Sequence, residues 1–245
     1  MKMFLGQLRS ELTVMVRNGE QLLLILVIPL GLLVFFSTVD VLPTGSDSAV
    51  DFLVPGILAL AVMSTAMVSL GIATGFERQY FVLKRLGATP LGARRLIAAK
   101  TTAVLLIELV QIVLIALVGL ALGWSATTAS WLSVTLAVVV ATCAFAGVGL
   151  LLAGTLRAEI NLAAQNAVYL ALLLTGGIVI AEESMPRGLM DVTALLPATA
   201  LGRVLRDSVN GGAPFSISAW WVLVVWAVAA PLAAAKFFRF APNQR

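Results

Sequence analysis

The chain has 245 residues, 60% of them hydrophobic and 11% charged, with a mean hydropathy of +1.04. A water-soluble domain carries about a quarter of its residues as charges, so this composition excludes a protein solvated by water alone and makes lipid part of the solvent. The net charge of +4 then reads as basic residues gathered at one membrane face, with no nucleic-acid partner. One cysteine, Cys143, sits inside an apolar run and reads as packing, and there is no histidine. An internal disulfide, a metal site and histidine-based catalysis are thereby excluded.

In chain order, the first element is amphipathic. Phe4, Leu5, Leu8, Leu12, Met15 and Val16 recur at three- and four-residue spacing, while Lys2, Arg9, Glu11 and Arg17 fall mostly on the other side. Such a helix, over residues 1–20, suits the membrane interface or a partner helix. Six stretches then have the roughly 20 apolar residues that a helix needs to cross hydrocarbon: 21–39, 52–75, 101–123, 131–154, 162–181 and 219–235. The first of these starts too deep in the chain for a cleavable signal, and no small-residue cleavage site follows it. Between the last two, residues 182–218 carry short helical patterns through Leu189, Val192, Leu195 and Leu196, and through Leu201, Val204 and Leu205. Pro186, Pro197 and Gly211-Gly212 interrupt them, so short helices dipping into the outer leaflet or lying on it are expected.

With six spans both termini share a side. All the basic residues except Arg187, Arg203 and Arg206 fall on that side, which the positive-inside rule makes cytoplasmic. The expected fold is a single all-α integral membrane domain over residues 1–245.

The basic residues concentrate in 76–100, "FERQYFVLKRLGATPLGARRLIAAK". Phe76, Tyr80, Leu83 and Leu86 share one face of a helix, with Arg78, Lys84 and Arg85 on others. Pro90 disfavours helical geometry at Thr89 and ends it, and Arg94-Arg95 leads into the third span. A short stiff helix beneath the membrane could transmit force from a cytoplasmic partner, or could hold anionic lipid.

This segment resembles the coupling-helix loop of type-2 ABC-transporter permeases, which include the daunorubicin and polysaccharide exporters. Glu77, Arg78, Leu83, Leu86, Thr89, Pro90 and Lys100 occupy the positions of an acidic-basic start, a Leu-x-x-Leu core, a Thr-Pro turn and a lysine entering the next span. Tyr80-Phe81 departs from the pattern, since many relatives have glycine nearby. The amphipathic start ending "RNGE", the "VIPLG" and "FLVPGILALAVM" spans and "LLPATALGRVLRD" extend the resemblance along the chain. It implies a permease whose Glu77, Arg78, Leu83, Lys84, Leu86, Thr89 and Pro90 couple to an ATPase. It also implies two cytoplasmic ATP-binding subunits carrying ATP and Mg, a second permease copy or a paralogue, and residence in the inner (plasma) membrane.

The chain itself binds no nucleotide on this reading. Gly87-Ala-Thr-Pro-Leu-Gly92 has the glycine spacing of a P-loop, but Ala93-Arg94 stands where Lys-Ser or Lys-Thr is needed. Glu108 is the only acid central in a span, so paired-carboxylate catalysis fails as well, and no catalytic residue is assigned. Lying about 10 Å into its span, Glu108 costs on the order of 3 kcal/mol unless protonated or paired. With Gln111, Asn161, Gln165 and Asn166 it either lines a transport route or ties helices together. The rival function is an ATP-independent secondary transporter or channel. An apolar route would suit lipids, amphiphilic drugs or lipid-linked sugars.

Overall fold

A computed structural model describes residues 2–39, 49–90, 92–125, 129–178, 187–210 and 216–239. The described residues form helices and connecting turns, with no strand among them. Helix α1 is Lys2–Arg17 and α2 is Gly19–Thr38, separated by one residue, Asn18, whose side chain accepts from the Gln21 amide at 3.4 Å. A side-chain oxygen there satisfies one of the orphan donors at the start of α2.

Next come α3 (Ala49–Met63), a π-helical turn (Ser64–Ser69) and α4 (Leu70–Gln79), which run on without a break as one 31-residue helix, Ala49–Gln79. At 1.5 Å per residue it is about 46 Å long, against about 30 Å of hydrocarbon. Its far end therefore projects out of the membrane and carries α4 to the basic side. Helices α5 (Val82–Gly87) and α6 (Gly92–Ala121) follow, then α7 (Trp131–Thr155) and α8 (Ala158–Thr175). The last three are α9 (Arg187–Thr193), α10 (Pro197–Asn210) and α11 (Ile217–Phe237).

Among the described residues five helices are long and apolar enough to cross a membrane: Gly19–Thr38, Ala49–Gln79, Arg94–Ala121, Trp131–Thr155 and Ile217–Phe237. The stretch expected at 162–181 gives α8, which begins earlier, at Ala158, and includes Glu159, Asn161, Gln165 and Asn166, polar groups that dilute its apolar character. Residues 179–181 lie outside the described residues, as do 182–186 and 211–215 of the expected outer segment, the 40–48 connection and the Arg245 end.

The core is built around the Ala49–Gln79 helix and α7. Helix α11 lies along α7 so closely that a Cβ on Gly147 would sit 2.5 Å from the Pro231 nitrogen. Helix α10 is inserted among α3, α7 and α11, with Ala198, Leu201, Val204 and Leu205 buried. Ser208 fixes its depth: its carbonyl accepts from the Ser130 amide and its hydroxyl meets that of Ser133, both at 2.7 Å. Helix α2 and most of α11 turn Leu, Val and Trp side chains outward, as lipid-facing helices do.

One expectation fails locally. Tyr80 does not share a face with Leu83 and Leu86, because the helix stops at Gln79 and Phe81 adopts a left-handed conformation at φ 62°. The chain turns there and restarts as α5.

Candidate functional site

Sequence position alone would make Lys100 an interfacial lysine reaching for water. Instead it is 1% exposed, eight residues into α6. Its Nζ lies 2.9 Å from Glu11 Oε2 on α1 and 2.8 and 3.0 Å from the two carboxyl oxygens of Glu77 on α4. Gln7, one turn before Glu11, donates to Glu11 Oε1 at 2.7 Å. Three helices distant in sequence are thus joined at one ammonium group.

The physics of the cluster is asymmetric. Desolvating an ion pair offsets much of its attraction, so such a cluster adds little net stability. Removing one partner, however, strands buried charge at about 3–5 kcal/mol. A triad of this kind specifies an arrangement of helices more than it strengthens the fold.

Next to Glu77, the buried Arg78 side chain donates through Nη2 to the Leu156 carbonyl at the end of α7. Gln79 Nε2 donates to Glu159 Oε1 on α8 at 2.8 Å. Beyond the turn, Leu83 is fully buried against Leu96 of α6 and Phe238, with Leu86 partly buried beside them. Three of the predicted coupling residues, Glu77, Arg78 and Leu83, therefore face inward and bolt the segment to the bundle. Lys84, Arg85, Thr89 and Pro90 face outward, together with Tyr80 (69% exposed), Phe81 (43%) and Val82 (42%). Lys84 Nζ stands 5.7 Å from the Phe81 ring centroid. The segment ends in a tight turn in which the Leu86 carbonyl accepts from both the Thr89 amide, at 3.0 Å, and the Thr89 hydroxyl, at 2.5 Å.

The second set of predicted residues is distributed through the membrane-spanning part, and four of the five are engaged between helices. Glu108 of α6 accepts from the Thr142 hydroxyl of α7. Gln111 Nε2 donates to the Ile25 carbonyl of α2 at 2.8 Å, and its oxygen accepts from Thr65 in the π-helical turn at 3.1 Å. The Ile25 carbonyl needs that donor because Pro29, four residues on, has no N–H to give. In hydrocarbon no water substitutes for it.

Asn161 and Gln165 point inward from α8, donating to the backbone carbonyls of Gly71 (2.9 Å) and Gly149 (2.8 Å). A Cβ on Gly71 would lie 2.0 Å from Gln165 Nε2, and one on Gly75 2.4 Å from Asn161 Nδ2. The Gly71–Gly75 pair, a G-x-x-x-G spacing, is what lets these amides rest on the α4 backbone. Asn166 is exposed and donates to Leu162 of its own helix at 2.9 Å.

Several contributors were missed by sequence reasoning. Glu11 belongs to the inward line of α1 with Phe4, Leu8 and Met15, at spacings of seven, three and four residues. That register was the available signal. Thr65, Thr142, Leu96 and Phe238 carry none that distinguishes them from other apolar-span residues. Among the described residues there is no group of three or more acidic or cysteine side chains able to hold a metal.

A bundle of long apolar helices whose buried polar groups are largely paired across helices, with a short helix at its basic end, defines a multi-pass membrane protein. Residues 4–209 match the model of the ABC-2 type transporter family, and the chain belongs to that family. It is thus a transport membrane subunit of an ABC transporter and not itself a catalyst. No curated protein matches the chain.

Proposed function

We propose that this chain is the permease subunit of an ATP-driven exporter. Two separate cytoplasmic subunits bind and hydrolyse ATP with Mg, a second copy or a paralogue completes the path, and the cargo is an amphiphilic or lipid-like molecule such as a drug, a lipid or a lipid-linked glycan. The observation that carries the reading is the two-sided build of residues 77–90: one side bolted to α1, α6 and α7, the other free to be gripped. A partner seated on Tyr80–Pro90 would pull on three helices at once.

In this reading the chain crosses the inner (plasma) membrane six times with both termini cytoplasmic. The pattern of α8 supports the sixth crossing: Asn161 and Gln165 turn inward while Ile160, Leu162, Leu170 and Leu174 are exposed, the inverse of a water-facing helix. Its 18 residues span about 27 Å, close to the hydrocarbon thickness. The side-chain amides of Gln111, Asn161 and Gln165 already donate to helix backbones, which favours this reading over an ATP-independent carrier.

Reversing the charge of the exposed pair, Lys84→Glu with Arg85→Glu, tests the reading. The expected result is loss of ATP-driven transport and of co-purification with the ATP-binding subunits, at unchanged membrane insertion. Full transport by that variant would refute docking at this surface.

A further inference from the structure

Beyond residues 77–90, a cleft of about 400 Å3 opens between α6 and α11, with α7 as its floor. That volume falls in the range of small-molecule sites. Its α6 wall runs from Arg94 through Thr101 to Leu105, its α11 wall includes Leu232 and Ala235, and Cys143 lies on the floor. Below Arg94 the lining carries no charge.

Two measures indicate an occupant. From Arg94 to Leu105 the wall is about 16 Å long at 1.5 Å per residue, which is half of the roughly 30 Å hydrocarbon core. The cleft therefore runs from the basic end of α6 into its apolar length. At its mouth Arg94 is exposed and takes no hydrogen bond or ion pair among the described residues. The next basic group on the opposite wall is Lys236, which directly follows the lining residue Ala235. A molecule with one anionic end and a hydrocarbon tail matches this in charge and polarity.

We infer that the α6–α11 cleft binds an anionic phospholipid of the leaflet at the Arg94 end, its phosphate on Arg94 and one acyl chain along Thr101, Leu105 and Leu232. Arg94 suits the role because its planar guanidinium can hold two phosphate oxygens at once. Occupancy fills the space between α6, which leads directly out of the coupling segment, and α11. The site needs no ATP-binding partner, so its failure would leave the permease reading untouched, and the reverse holds too.

The test uses the full-length chain in phosphatidylcholine vesicles containing a trace of phosphatidylglycerol with a photoreactive group midway along one acyl chain. Adducts are mapped by mass spectrometry of the digested protein. Adducts concentrated on the Thr101–Leu105 and Leu232 walls are expected, falling about fivefold in Arg94→Gln and by less in Arg94→Lys, which keeps the charge but not the two-pronged fork. A phosphatidylcholine probe with the same chain should label the cleft no better than the phosphatidylglycerol probe labels Arg94→Gln. Equal labelling by both probes, or undiminished labelling of Arg94→Gln, would overturn the site. So would adducts found everywhere except the cleft, since a second protein surface would then cover it.

Discussion

The basic end of the bundle and its middle are both held by polar contacts, but of different kinds. At the end, Lys100, Glu11 and Glu77 are joined as ions. Deeper than the triad along the helices, Gln111, Asn161 and Gln165 donate as neutral amides to backbone carbonyls. The difference follows distance from water. A stranded charge is worst where nothing can solvate it, so ions sit where helices emerge, and amides serve where only a carbonyl needs a donor. Breaking the first kind should have large, all-or-none consequences; breaking the second should have small and local ones.

The largest effect is expected from Lys100→Met, which leaves the buried Glu11 and the partly buried Glu77 without a counter-ion. Destabilisation of about 3–5 kcal/mol should appear as a collapse of the thermal unfolding midpoint in detergent, together with loss of transport. Combining it with Glu11→Gln and Glu77→Gln removes the stranded charge and should recover most of that stability. If the triple variant unfolds as readily as Lys100→Met, charge is not what makes the site sensitive.

An intermediate effect is expected where backbones touch. Gly71→Ala places a Cβ within the Gln165 amide and should cost about 1–3 kcal/mol through overpacking. Pairing it with Gln165→Ala should restore much of the loss. Additive losses would mean that the crowding lies elsewhere.

Smaller still is Gln111→Leu, which takes the donor from the Ile25 carbonyl, at about 0.6–1.7 kcal/mol for such a contact in a membrane. Pro29→Ala returns an N–H four residues after Ile25, so the glutamine should matter less in that background. A double-mutant cycle reads this directly, and a coupling near zero would remove the proline from the explanation.

The all-helical membrane class and five of the apolar spans were legible in the sequence, because both follow from composition over windows of about 20 residues. What stayed hidden depends on single contacts between distant elements. Nothing near Lys100 announces that it turns away from water, because its partners lie 89 and 23 residues away. The turn at Phe81 was hidden for the opposite reason: an aromatic residue at positive φ is disfavoured locally, and sequence reasoning carried the helix straight through it. The Phe76, Tyr80, Leu83 and Leu86 spacing therefore reads as one helical face that Tyr80 does not share. Gln111 could have been matched to a proline-freed carbonyl in principle, but several spans offered candidates.

We propose that residues 77–90 act as a coupling element because the triad ties them to α1 and α6. The most direct measurement compares ATP hydrolysis with transport, in proteoliposomes holding the ATP-binding subunits, for a chain with Glu11→Leu, Glu77→Leu and Lys100→Leu together. With the ions replaced by apolar side chains the fold should persist, hydrolysis should continue, and transport per ATP should fall at least tenfold. Transport per ATP equal to that of the unaltered chain would show that the triad plays no part in coupling.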